Sequence, residues 1–598
     1  MNLRRALLLA VLALPLLAAS PTSPDAAVPI LTFDDVTPGM KGTGRTVFAG
    51  TKIETFEVEI LGKLPNIGPD QNLILARCSG GPLANTGILA GMSGSPVFVD
   101  GRLVGAVAYS WGFTKDAIAG ITPIEEMLAV AARNETPRRA LASGLPLDPV
   151  AWLRHADRLA SFFEGRLDAL AARPAAAAPM TVPLAVSGLG GPGFARVASD
   201  LERAGFLPLQ GGGAGHAPSP SPALEPGSAV GVKLMRGDVD MTATGTVTWV
   251  DGDRVLAFGH PLYSLGAVDH PLTGARVEAL LPSLMQSMRI ATPLQEIGSF
   301  RQDRASAIFG RLGGSPRMIP VRLQLGSRLE NPKTFSFDVA DDPLLAPVLL
   351  YVALNGVLAN QERVVGSMTL NVREGSVIRL EGQKEVELSN VFAGSTAPYY
   401  ATGTSAFILH LLMNNDWTAP RITGINLILE HDDEPRTARV ERVTLDRYRV
   451  HPGENIRVSV TIRPFRGPQQ TLVEEVPIPA ETAPGRLLLH VGNGMEVMDA
   501  EGIDDPVRPR DLDQLIQLIN SIRRNDRVHL VALAEDTGAF VGGARLPNLP
   551  PSVAGVFSRP RGSAGDTRLR YRGVLQDEIP TDYAVEGMAR VAIEVEAR

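Results

Sequence analysis

The chain has 598 residues, which at roughly 150 residues per domain corresponds to about four domains. With 20% charged and 44% hydrophobic residues it is not a disordered, collagenous or coiled-coil chain, and its 60 glycines and 47 prolines fit many turns between short strands. A net charge of −7 without a lysine- or arginine-rich tract argues against a nucleic-acid partner, and the single cysteine, Cys78, excludes a cysteine-built metal site and any intrachain disulfide.

Residues 1–20 have the order of a secretory signal. Arg4 and Arg5 precede an apolar run from Ala6 to Ala19, and Ser20 and Pro21 follow. A membrane anchor would need about 18 uninterrupted apolar residues, and Pro15 breaks this run. No cysteine follows to carry a lipid. The expectation is an exported bacterial protein, periplasmic or extracellular, with no stable membrane span once the signal is removed.

Residues 30–130 alternate short apolar runs with glycine-marked turns. Thr46–Phe48, Phe56–Leu61, Gln71–Ala76, Pro96–Val99 and Leu103–Tyr109 read as strands, with Asp100-Gly101 as a two-residue hairpin turn. Thr122, Pro123 and Glu125 predict a helix start capped by Thr122. Residues 131–225 read as a helical/αβ insertion with linkers. Within it, 146–172 places Trp152, Leu153, Leu159, Phe162, Phe163 and Leu167 on one helical face, and 180–210 predicts strand, helix, strand. Residues 226–375 are strand-rich, and 376–429 read as a connecting segment. Residues 430–598 read as a β-sandwich-like module. In it Ile456, Val458, Val460 and Ile462 alternate with polar residues, and Asp511 caps a helix bearing Leu512, Leu515, Ile516 and Ile519.

The most informative stretch is Gly91-Met-Ser-Gly-Ser-Pro96, followed by a predicted hairpin. A serine nucleophile needs a tight turn that exposes its oxygen, with backbone N–H groups aimed where negative charge develops. Gly91 and Gly94 permit such a turn around Ser93. A nucleophilic serine also needs a base. Of the nine histidines, His260 alone ends a strand, Asp251-Gly252 turn, strand unit. His270, ten residues on and just before Pro271, lacks that lead-in. No pair of histidines has a zinc-ligand spacing backed by a carboxylate motif, so neither metal nor other cofactor is expected.

The serine stretch resembles the nucleophile segment of trypsin-like peptidases. More specifically, Gly91–Pro96 with Pro38-Gly-Met-Lys-Gly-Thr-Gly44, Gly259-His260, Asp269 and Ile308-Phe-Gly-Arg-Leu312 is similar to the SpoIVB-type serine peptidase family. The resemblance implies a mainly β, two-barrel trypsin-like core acting on protein or peptide substrates. It also implies Ser93 as nucleophile, His260 as base and the Gly91 and Ser93 amides as oxyanion hole. Two departures stand out. The serine half here precedes the histidine half, a permuted order. The family's acid falls where this chain has Cys78, so Asp269 and Asp303 are both candidates for a third member, a dyad without an acid stays open, and Lys41 is a further candidate base. The PDZ module of the sporulation peptidase has no counterpart, so a sporulation role is not implied. The competing reading is a catalytically silent peptidase fold serving as a binding or scaffold protein of the envelope.

Overall fold

The computed structural model describes residues 28–135, 153, 156–171, 179–212, 215, 218–327, 331–361, 366–501, 509–535, 539–541, 544–546, 550, 552–553, 567–568 and 571–597. The predicted signal and Trp152 lie outside the described residues.

The first unit is a closed barrel. Strands β1 (Lys41–Ala49), β2 (Lys52–Gly68), β3 (Gln71–Ser79), β4 (Pro96–Val99), β5 (Arg102–Ser110) and β6 (Ile118–Pro123) pair in the order β1-β2-β3-β6-β5-β4. Period-two patterning dictates the inward face: Phe56, Val58 and Ile60 are buried while Glu57 is exposed. Asp100 and Gly101 both take positive φ, 49° and 73°, as a tight primed turn between β4 and β5 requires.

Next come the helices Ile124–Ala131 and Ala156–Ala171, then β7 (Val182–Ser187), the helix Gly191–Arg203 and β8 (Phe206–Gln210). Strands β9 (Ala229–Gly237), β10 (Asp240–Asp251), β11 (Arg254–Ala257), β12 (Gly266–Leu281), β13 (Met288–Arg304) and β14 (Ala307–Leu312) follow. Their pairings close a second ring, β9-β10-β11-β14-β13-β12 and back to β9. The two rings therefore share one strand order, first-second-third-sixth-fifth-fourth. The core is mainly β and two-barrelled, as the sequence led us to expect. Ser93 lies between the third and fourth strands of its barrel, and His260 lies between the third and fourth strands of the other.

The second barrel is extended on both sides. β10 also pairs with β7, which pairs with β8, so the αβ insertion joins the barrel's sheet. β9 pairs with β16 (Lys333–Ala340) and through it with β15 (Met318–Ser327), which runs parallel to the strand Ile422–Asp432. The stretch 376–429 contributes Val377–Leu380 to the same sheet. The helices Leu345–Gln361 and Ala397–Met413 pack with Ala156–Ala171 in one apolar core, where Phe163 stacks on Tyr351 at 4.4 Å. Among the described residues no helix is long and apolar enough to cross a membrane. In the C-terminal module, a four-stranded and a five-stranded sheet enclose Val458, Val460, Leu489, Leu530 and Ile593 as a sandwich core. The Asp511 side chain caps the helix Leu512–Asn520 by accepting from the Gln514 N–H.

Within the helical core, His410 is buried, and burial followed by the nearby Arg166 charge pushes its imidazole down to about 3 from 6.5. The sign follows from linkage. Below pH 6.5 the unfolded chain takes up a proton that the folded chain refuses, so stability falls on acidification from about 6.5 towards 3. These two values give a loss of about 2 kcal/mol at pH 5. Denaturant titrations at pH 8 and pH 5 should show this loss in the wild type and a smaller one in His410→Gln. Equal losses in both proteins would refute the assignment.

Candidate active site

The turn Leu89–Pro96 is held from both barrels. On its own side, Met92 N donates to Leu89 O (2.9 Å), Ser95 N to Met92 O (2.9 Å) and Gly94 N to Val107 O on β5 (2.7 Å). The Ser95 hydroxyl donates to Thr46 Oγ1 at 3.0 Å. From the second barrel, Thr246 N donates to Ser93 O (2.8 Å), Thr246 Oγ1 to Gly91 O (3.0 Å) and Thr248 Oγ1 to Gly94 O (2.7 Å). Position 94 must be glycine. Its φ is +95°, and a Cβ there would lie 1.9 Å from Thr246 O and 2.5 Å from Phe258 N.

The segment that leads into His260 packs against the same turn and strand from the second barrel. β11 ends at Ala257, and Phe258 adopts φ +69°, a strained conformation for an aromatic residue that only dense packing sustains. Gly259 then slots against β5. A Cβ on it would lie 3.1 Å from the Cβ atoms of Ala106 and Ala108 and 3.4 Å from Val107 O. Thr122 Oγ1 donates to Gly259 O at 2.6 Å. That bond explains why Thr122 does not cap the following helix, whose N-cap is Pro123. The residue after Ser93 thus donates to Val107 O, and the residue before His260 packs against the same stretch of β5.

Both residues are fully buried, so the exposed turn expected around Ser93 is corrected. Its surroundings include part of the insertion. Met180 N donates to Ala108 O (3.0 Å), and Pro183 Cγ would lie 3.5 Å from a Cβ on Gly91. Ser93 Oγ has no hydrogen-bond partner among the described residues. The N–H groups of Gly91 and Ser93 likewise meet no acceptor among them, whereas those of Ala90, Met92, Gly94 and Ser95 are all engaged. His260 Nδ1 lies 2.8 Å from Pro261 O. With the proton on Nδ1 donated to that carbonyl, Nε2 is the basic nitrogen.

The remaining candidates are placed as follows. Asp303 is buried, which raises its carboxyl pKa. Its oxygens accept from Leu262 N (2.8 Å), Tyr263 N (2.8 Å) and Leu265 N (3.2 Å). It therefore clamps the loop that follows His260. Asp269 pairs with Arg301 at 2.9 Å. His270 is buried on β12 with Nε2 3.9 Å from Asp342 Oδ2. Cys78 is a buried thiol pushed up to about 12 by burial, so it is neutral at pH 7. Lys41 is an exposed residue at the start of β1. Among the described residues no cluster of histidine, cysteine and acidic side chains could hold a metal.

Sequence reasoning did not find Arg289. This residue of β13 is buried, and its guanidinium donates to Gly91 O and to Val47 O (2.8 Å). No local signal announces it, because its partners lie 43 to 243 residues away.

Residues 19–128 match the family model described as SpoIVB peptidase S55. The match spans the whole first barrel and Ser93, and ends before the segment that carries His260. No curated protein and no solved structure matches the chain.

Proposed function

From the match of residues 19–128 to the SpoIVB peptidase S55 family model, we propose that the chain is an exported serine endopeptidase with Ser93 as nucleophile and His260 as general base. The observation that carries this reading is that Gly94 and Gly259, the neighbours of Ser93 and His260, pack on the same stretch of β5, while the N–H groups of Gly91 and Ser93 meet no acceptor among the described residues. Ser93 Oγ attacks the scissile carbonyl carbon while its proton passes to His260 Nε2. The oxygen that becomes negative is received by the N–H groups of Gly91 and Ser93. His260 then gives the proton to the leaving amine, the C–N bond breaks, and the acyl group remains on Ser93. Water, deprotonated by the same imidazole, releases it. Pro261 O holds Nδ1–H in the place where an acid would act, and Asp303 fixes the loop behind it without touching the reacting atoms. Neither metal nor cofactor enters this chemistry.

The second reading, a silent peptidase fold used for binding, draws on the burial of Ser93 and on Met180 lying along β5. One experiment separates the two. A fluorophosphonate probe applied to an envelope fraction should label the wild type and not Ser93→Ala, and the N-terminus of the labelled band should fall near residue 20. Labelling of neither protein favours the silent fold. A labelled band that begins at Met1 refutes export with signal removal.

A further inference from the structure

Arg289 is a charged side chain enclosed by neutral groups. Nη1 donates to Thr46 Oγ1 (3.2 Å) and Val47 O (2.8 Å). Nη2 donates to Gly91 O, Thr246 Oγ1 (2.9 Å) and Gly245 O (3.4 Å). Among the described residues no carboxylate pairs with it. Burial lowers its guanidinium pKa to about 9, which leaves it protonated at neutral pH. Burying a charge with only neutral partners is costly, and five hydrogen bonds are concentrated on this one side chain. The backbone of the same residue adds a sixth contact: Arg289 N donates to Ala90 O at 3.1 Å.

These contacts fix the orientation of one peptide plane and its neighbour. In a trans peptide the C=O and the N–H of the next residue point in opposite directions. The Ala90 carbonyl is held by Arg289 N–H, so the Gly91 N–H of the same peptide is directed away from β13. The guanidinium holds the next carbonyl, that of Gly91, whose φ is +98°. A single residue of the second barrel thus anchors both peptides that flank Gly91. At a glycine, peptide rotation would otherwise be cheap.

Resting on the assignment of Ser93 as nucleophile, we propose that Arg289 is a positioning residue of the oxyanion site: it locks the Gly91 N–H in the direction where charge develops during acyl transfer. Among the described residues it makes no hydrogen bond to Ser93, and it acts through the Gly91 peptide. Its effect should therefore be confined to the transition state, where that N–H is used, and should leave ground-state binding alone.

The test compares wild type, Arg289→Met, Arg289→Lys and Ser93→Ala. The measurements are peptide hydrolysis, fluorophosphonate labelling, inhibition by a peptide boronate and thermal unfolding. Removing one oxyanion donor typically costs about 10²- to 10³-fold in kcat. Arg289→Met should lose that much, with KM within about threefold and boronate affinity falling in parallel with kcat. Arg289→Lys keeps the charge and one or two donors, so it should recover about tenfold of the loss, and it serves as the readout if the methionine variant does not fold. A loss carried by KM would overturn the proposal, as would a loss that tracks Tm equally in both variants, or an unchanged boronate affinity. If the wild type is not labelled at Ser93, the peptidase reading and this proposal fall together. If labelling and kcat survive in folded Arg289 variants, only the role of Arg289 falls.

Discussion

Ser93→Ala should abolish peptidase activity while raising the stability of the protein. The first effect follows from the roles of the residues. Members of a nucleophile-base pair act as a unit, and what survives without the nucleophile is binding and the oxyanion site, so a fall on the order of 10⁴- to 10⁶-fold in kcat is expected. The second follows from burial. Ser93 Oγ is enclosed and has no hydrogen-bond partner among the described residues, and an unsatisfied buried polar group costs about 1 to 3 kcal/mol. Alanine removes that oxygen without leaving a large cavity, so unfolding should be shifted upward by about 1 kcal/mol. Ser95, two residues on, should behave oppositely. Its hydroxyl is bonded to Thr46 Oγ1 at 3.0 Å, so Ser95→Ala should lose about 1 kcal/mol and keep its activity. Activity assays and thermal melts on both variants decide the matter. If Ser95→Ala is the inactive variant, the turn has been read one serine out of register.

The contrast between these two serines shows how far local sequence reaches. The glycines at 91 and 94 and the Asp100-Gly101 turn are legible because their constraint is written in backbone conformation, and the observed φ values of +98°, +95°, 49° and 73° are those such residues take readily. Equally legible is the strand-turn-strand unit that ends at His260, since period-two patterning and an Asp-Gly turn are properties of neighbours. Burial of the turn was not legible, because it is imposed by Thr246, Thr248 and Phe258, more than 150 residues away. For the same reason Thr122 looked like a cap: its spacing to Glu125 satisfies the capping pattern, but the Gly259 carbonyl takes its hydroxyl. The helix Leu345–Gln361 was hidden inside a strand-rich block because it is enclosed on nearly every side and has no amphipathic period to betray it. Arg289 carries the same lesson at the site itself. A lone arginine among apolar residues reads as a surface position, and only the meeting of two barrels makes it the anchor of the Gly91 turn.

His260→Ala should be as inactive as Ser93→Ala, and the double variant should be no worse than either. The argument is mechanical before it is electrostatic. Gly259 is wedged between Ala106 and Ala108, its carbonyl is held by Thr122, and the loop after the histidine is clamped by three N–H bonds to Asp303. The backbone on both sides of the ring is therefore fixed, as a base that must keep its nitrogen near one oxygen requires. His270, by contrast, sits on β12 facing Asp342 at 3.9 Å, and His270→Ala should keep most of the activity while losing stability. Deleting Asp303 tests the clamp separately. Asp303→Ala should lower kcat by loosening the loop, yet leave the shape of the pH profile unchanged, because no carboxylate needs to ionise next to the ring. In the wild type, kcat/KM should climb with pH, since the ring must be neutral to accept the serine proton. Activity that survives His260→Ala but is lost in Lys41→Ala would replace His260 with Lys41 while leaving Ser93 in place. Measured kcat/KM values for the single and double variants complete the case. Additive losses would mean that the two residues act in separate steps, and the dyad would have to be abandoned.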